Sequence, residues 1–236
     1  LRSACKSADL IVAISHQTRS DLSHYLGIDP SRIKVIFQSC DQVFWSSQQD
    51  RFSKLKKEFQ LPERFCLFVG TLEERKNPIL VAQACLKLQI PLYVVGRAKV
   101  AWTSYYDGLT NDEKALIIPI VVKDNADLAA LYQLADVFVY PSIFEGFGIP
   151  LLEAMISKTA LITANNSALK EVAGPGSILL DEINSTSIAA AIQQFWENDE
   201  KRQKAIAINF TFAQQFSHQN IALQWMETYQ QLAHES

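Results

Sequence analysis

Two cations and two carboxylates mark where this chain could do chemistry. Arg75 and Lys76 lie in the run Gly70-Thr71-Leu72-Glu73-Glu74-Arg75-Lys76-Asn77-Pro78, after an apolar stretch and at the opening of a helical pattern. Gly70 permits a tight turn, and two cations at a helix start, where backbone N–H groups already favour anions, suit a diphosphate. Taken alone, the run reads equally well as a solvated charged turn. Glu145 and Glu153 enclose a second segment, Gly146-Phe147-Gly148-Ile149-Pro150-Leu151-Leu152. Gly146 and Gly148 on either side of Phe147 make a loop whose N–H groups can come close to a ligand. Pro150 fits the first turn of a helix. Glu153 then sits about one turn inside that helix and Glu145 just before the loop, so that both border one cleft. Favour from the helix dipole would also account for Glu153, whereas Glu145 has no such capping use.

The elements that must position these residues are legible as alternation. Apolar runs at 10–14, 33–37, 65–69, 92–95, 116–121, 137–140, 160–163 and 177–180 are nearly continuous and rich in Val and Ile, as parallel strands covered on both faces are. Helical patterns fall between them. Ser15 caps a helix reaching about Leu26, which Gly27 stops, and Pro78 opens one reaching about Leu88. Others follow Asn125, occupy 188–196 after Ser185, and close the chain at 199–215 and 218–233. The alternation predicts an α/β fold, a doubly wound parallel sheet of Rossmann-like kind. Ligands of such sheets bind beyond the carboxyl ends of the strands. Residues 41–61 are polar and hold no strand, and read as a connection into a unit beginning at Phe65. Two further loops after strands, Gly96-Arg97-Ala98-Lys99 and Val121-Val122-Lys123-Asp124, are weaker candidates. The first reads better as a plain strand end, while the backbone of the second could meet a nucleobase edge.

Composition narrows the rest. The 236 residues are 48% hydrophobic and 20% charged with a net charge of −3, enough for a large core but without the basic surplus that nucleic acid requires. No apolar run approaches a bilayer span and no signal layout precedes Asp9. With no initiator Met, the chain reads as part of a longer protein. Cys5, Cys40, Cys66 and Cys85 form no CxxC pair and read as buried or free thiols in a reducing compartment. His16, His24, His218 and His234 have no zinc spacing, and GxGxxG, P-loop and G-x-S-x-G patterns are absent.

Leu128-Ala129-Ala130-Leu131-Tyr132-Gln133-Leu134-Ala135-Asp136-Val137-Phe138-Val139-Tyr140-Pro141-Ser142, running on through the glycine loop to Glu153-Ala154-Met155, strongly resembles the signature of family 4 glycosyltransferases. So does Phe68-Val69-Gly70-Thr71-Leu72-Glu73 with Arg75-Lys76-Asn77, and weaker matches extend from Ile14-Ser15 to Glu171-Val172-Ala173-Gly174. The resemblance implies the C-terminal half of a two-domain GT-B fold. Residues 1–45 would be the end of an N-terminal acceptor domain, 46–215 the donor-binding domain, and 216–236 a helix packing near the junction. It implies a retaining hexosyltransferase, with mannose favoured, using a UDP- or GDP-sugar and needing no metal or other cofactor. The acceptor would be a glycan or lipid-linked glycan, in the cytoplasm or at the inner membrane face. Arg75 and Lys76, with Gly70 beside them, would hold the diphosphate, and Glu153 the ribose hydroxyls. Glu145 would sit by the donor sugar, with the backbone of Gly146, Phe147 and Gly148 on its hydroxyls. The 236 residues alone are expected to bind donor but to transfer little or nothing. Thr71 replaces an Arg common in the family, and Gln38-Ser39-Cys40-Asp41 replaces Asn-Gly-Val-Asp, so that turn loses its glycine. A non-catalytic nucleotide- or partner-binding module of this fold is the alternative. An epimerase or phosphorylase on the same architecture is a third.

Overall fold

Eight apolar runs become eight strands in a computed structural model that describes residues 2–235. A first unit comprises α1 (Arg2–Ser7), β1 (Ile11–Ala13), α2 (His16–Leu26) and β2 (Ile33–Val35), with β1 and β2 paired in parallel. Ala13, Ile28, Ile33 and Cys5 form its small separate core. Ser15 caps α2 as expected, its side chain accepting from the N–H of Thr18, and Gly27 ends the helix at φ 67°.

The larger unit runs α3 (Gln49–Glu58), β3 (Cys66–Val69), α4 (Pro78–Leu88), β4 (Leu92–Val95), α5 (Val100–Asp107), α6 (Asn111–Leu116), β5 (Ile117–Ile120), α7 (Asn125–Leu134) and β6 (Val137–Tyr140). It continues through α8 (Ile149–Ile156), β7 (Ala160–Ala164), α9 (Leu169–Val172), β8 (Ile178–Leu180), α10 (Ser185–Trp196), α11 (Asp199–Ala213) and α12 (His218–Glu235). Its six strands form one parallel sheet in the order β5-β4-β3-β6-β7-β8. β3, β4, β6 and β7 are buried along their whole length, which is why they read as unbroken apolar runs. The edge strands are more exposed, and Pro119 is tolerated in β5 because an edge strand can spare an N–H. α4 packs with α5, α6 and α10, while α8 packs with α7 and α11. Among the described residues no helix is long and apolar enough to cross a membrane. All four cysteines are free and buried.

Residues 41–61 hold no strand and lead into β3, but they are largely helical. The segment holds a 3-10 turn at Gln42–Trp45 and the ten-residue α3. α3 buries Leu55 completely and is tied to α7 by Arg51 and Lys54, which both reach the buried Asp127 carboxylate at 2.6 and 3.1 Å. Its apolar face is so narrow that the sequence pattern hides it. The turn at residues 38–41 needs no glycine, since none of the four takes a positive φ. Asp41 instead caps the 3-10 turn by accepting from Val43 at 3.0 Å, and is itself held by Asn125 at 2.9 Å.

Candidate donor site

The strand order reverses between β3 and β6, so a crevice must open beyond their carboxyl ends. The loops that leave those two ends carry the cations and the carboxylates. They are also bonded to each other: Ile143 N–H donates to the Arg75 carbonyl at 2.8 Å, and Asn77 Nδ2 to that of Pro141 at 2.8 Å. Gly70, at φ 144°, and Gly96, at φ 154°, let the loops after β3 and β4 touch; a Cβ at Gly96 would lie 1.9 Å from the Gly70 carbonyl oxygen. The loop at Gly96 is thus a structural partner of the first loop as well as a strand end.

Arg75 and Glu145 meet between the loops after β3 and β6, Nη1 to Oε1 at 2.8 Å. Glu73 takes Arg75 Nη2 at 2.8 Å, and Arg75 Nη1 also reaches Ser142 Oγ at 3.3 Å and the Phe144 carbonyl. Burial alone would lower the Arg75 pKa, but the bond to and charge of Glu145, followed by Glu73, raise it on balance. Tyr140 Oη and Ser142 Oγ donate to the same Glu145 oxygen at 2.8 and 3.0 Å, and Ser167 Oγ accepts the Glu145 N–H at 3.2 Å. Lys76 is placed differently. Among the described residues no carboxylate lies within ion-pairing distance of it, and its Nζ stands 5.7 Å from the centroid of the Tyr140 ring. Of the two sequence-predicted cations, Lys76 is the one whose charge is uncommitted.

The glycine loop leads from Glu145 into α8. Gly148 takes φ 105° at the helix N-cap, and no side chain caps the helix there; Pro150 carries no N–H and that of Leu151 donates to the Gly148 carbonyl at 2.9 Å. Phe147 points inward: it is 2% exposed and packs on Phe37 and Phe216 at centroid distances of 6.1 and 5.8 Å. Only its backbone is left for a ligand. Gly146 lies under the first unit, where its carbonyl accepts from Thr18 Oγ1 at 3.2 Å. That unit is anchored nearby by Glu171, whose carboxylate accepts the N–H groups of His16 and Gln17 at 2.8 and 2.7 Å.

Glu153 sits one turn inside α8, as its spacing predicts, but away from the Arg75 cluster. Among the described residues its carboxylate has one bond, from Tyr132 Oη at 3.1 Å. With no cation beside it, burial pushes its pKa up to about 7; the Tyr132 bond lowers it and the charge of Asp41 raises it further. Burial, and then the Glu153 charge, push the neighbouring Cys40 thiol to about 12. The structure therefore joins Gly70, Arg75, Lys76 and Glu145 in one cluster and leaves Glu153 in a second, reached through Phe138, which touches both Tyr132 and Tyr140. Spacing alone does not single out Tyr140, Ser142, Tyr132 or Glu73. Each stands inside the motifs, but only the fold reveals which carboxylate or cation it serves. A separate hollow of about 310 Å³, lined by Trp45, Phe52, Lys158 and Phe210, holds none of these residues. Among the described residues, no three His, Cys, Asp or Glu side chains gather as metal ligands would.

Residues 47–210 match the family described as Glycosyl transferases group 1, and the chain belongs to that family. It is 29% identical to the O-antigen chain mannosyltransferase B of Escherichia coli over 98% of this chain and 63% of that protein. It is 32% identical to the serotype-specific mannosyltransferase WbdA of Escherichia coli over 71% of this chain and 22% of that protein. Its fold is that of GT-B glycosyltransferases. It superposes with a TM-score of 0.82 on Anabaena HepE in complex with UDP and glucose, at 22% identity over 96% of this chain and 64% of HepE. Sucrose-phosphate synthase of Thermosynechococcus elongatus gives 0.82 at 23% identity over 100% of this chain and 61% of that one. The chain thus spans less than two thirds of the length of these relatives.

Proposed function

We propose that this chain is the donor-binding part of a retaining glycosyltransferase that moves a hexose from a nucleoside diphosphate sugar to a glycan or lipid-linked acceptor. The observation that carries the reading is the uncommitted cation Lys76 beside the Arg75–Glu145 pair at the strand-order reversal. Lys76 and the N-terminus of α8 take the diphosphate, and Arg75 turns to it when the ligand competes with Glu145 and Glu73. Glu153 accepts the ribose hydroxyls, and the backbone of Gly146, Phe147 and Gly148 bonds the sugar. Positive charge fixed in this way stabilises the departing diphosphate without a metal ion. The acceptor hydroxyl attacks from the face the diphosphate leaves, and the departing phosphate oxygen takes its proton. The carbon–oxygen bond to phosphate breaks as the new glycosidic bond forms on the same face. Glu145 stands beside the oxocarbenium-like centre as charge, not as nucleophile.

The mannosyltransferase relatives favour mannose, and hence a GDP donor, although HepE in complex with UDP and glucose keeps UDP-sugars in view. Residues 1–45 are read as the end of an acceptor domain, 46–215 as the donor domain and 216–236 as the helix that returns to their junction. The reaction is assigned to the cytoplasm, at the inner membrane face for a lipid-linked acceptor. The test is calorimetric titration with GDP-mannose, UDP-glucose, GDP and UDP. One sugar nucleotide and its diphosphate should bind, and Lys76→Ala should weaken both at least tenfold. Binding by neither series, or equal binding by the variant, would overturn the donor-site assignment. The anomeric proton signal of the product, formed with an acceptor domain supplied, separates retention from inversion.

A further inference from the structure

Tyr140 ends β6 and is 1% exposed, with its ring held by Phe68 and Phe138 at centroid distances of 6.0 and 5.9 Å. Two features of this side chain exceed what the core requires. Its hydroxyl makes a single bond, to Glu145 Oε1 at 2.8 Å, and a Phe would fill the same space without it. Its ring face receives Lys76 Nζ at 5.7 Å. Gly70 keeps that approach open, because a Cβ there would stand 3.2 Å from Lys76 Nζ and 3.4 Å from Tyr140 Cε2. The bonds on Glu145 are also one-sided. Tyr140, Ser142 and Arg75 all converge on Oε1, and no described residue donates to Oε2.

We propose that Tyr140 is a positioning residue for donor binding: its ring face sets the phosphate cation Lys76, while its hydroxyl turns Glu145 so that Oε2 faces the sugar. The proposal rests on the donor-site reading above and adds the residue that ties the phosphate end of the site to the sugar end. An ammonium over an aromatic face is held without being neutralised, so Lys76 keeps its charge for a phosphate. A carboxylate pair would have cancelled it, as happens to Arg75. Burial, with the Glu145 charge, raises the Tyr140 hydroxyl pKa well above its ordinary value, so it remains a donor at any physiological pH.

The two halves separate by substitution, read as dissociation constants from calorimetry with GDP, UDP, GDP-mannose and UDP-glucose. Tyr140→Phe keeps the ring, so the nucleoside diphosphate should bind within twofold of wild type. The ratio of sugar-nucleotide to diphosphate affinity should fall at least fivefold, because Oε2 is no longer aimed. Tyr140→Leu also removes the ring face, and the diphosphate itself should weaken at least fivefold. An unchanged ratio in Tyr140→Phe overturns the hydroxyl role, and wild-type diphosphate binding by Tyr140→Leu overturns the ring role. Should Tyr140→Leu lose cooperative unfolding, the ring contact is read in the wild-type chain as an upfield ring-current displacement of the Lys76 Cε protons; random-coil positions overturn it. Failure of the wild type to bind any of the four ligands removes the donor-site reading and this proposal together. Binding with an indifferent Tyr140→Phe removes the proposal alone.

Discussion

Glu145 and Glu153 flank the same short loop, yet the fold gives them opposite surroundings. Glu145 has a guanidinium at 2.8 Å and two hydroxyls on one oxygen, and is held in place by them. Glu153 has one tyrosine hydroxyl at 3.1 Å, no cation, and a pKa raised to about 7. The cations divide in the same way: Arg75 is spoken for by two carboxylates and Lys76 by none. Residue type alone therefore predicts little about role. A carboxylate locked to a cation gives fixed charge beside a reacting centre. A half-buried, unpaired carboxylate is poised to gain from ligand hydroxyls that it lacks in the free protein.

The largest effect expected from breaking this contrast is at the uncommitted cation. Lys76→Glu should cost at least a hundredfold in nucleoside diphosphate affinity, about 3 kcal/mol, measured by calorimetry. Next comes Glu153. Its folded-state pKa, about 7, lies above the ordinary value of 4.5, so the native state keeps a proton that the unfolded chain has already released. Stability attributable to this group is intact below pH 4.5 and falls as pH rises from 4.5 through 7. Glu153→Gln escapes that loss and should be more stable than wild type by about 2 kcal/mol at pH 8, with little difference at pH 4, in denaturant melts. Ribose hydroxyls favour the ionised form, so wild-type affinity for a sugar nucleotide, whose diesterified diphosphate does not titrate in this range, should rise between pH 6 and pH 8 and that of the variant should not. A pH-independent wild type would remove the ribose assignment.

A third carboxylate sharpens the comparison. Glu171 accepts the first N–H groups of α2, so Glu171→Gln should lower stability by about 1 kcal/mol without altering diphosphate affinity. The smallest effect belongs to Glu145→Gln. It frees Arg75, so affinity for the bare diphosphate should rise two- to fivefold, under about 1 kcal/mol, while preference for the sugar nucleotide is lost. A drop in diphosphate affinity would mean that Arg75 needs Glu145 to face the phosphate at all.

Much of the larger unit was legible because strands buried on both faces must be apolar throughout, as 92–95 and 137–140 are. The cap at Ser15 and the first-turn proline Pro78 were legible because the chemistry of a helix start is local. α3 was not, because Leu55 is its one fully buried residue and its tether is an ion-pair network with Asp127, a contact 73 to 76 residues away. The same limit applies at the site. The motifs located Arg75, Lys76, Glu145 and Glu153, but the pairing of Arg75 with Glu145 spans two loops and depends on strand order. So does the contact of Lys76 with Tyr140, since no spacing rule relates residues that meet only across a sheet.

Thermal unfolding of the purified chain with UDP and with GDP, beside Lys76→Glu, addresses the donor site most directly. At a ligand concentration 100 times the dissociation constant, one of the two nucleotides should stabilise the wild type by about 2.7 kcal/mol and leave the variant unmoved. A wild type indifferent to both nucleotides, or a variant that responds as the wild type does, would contradict a diphosphate site built on Lys76.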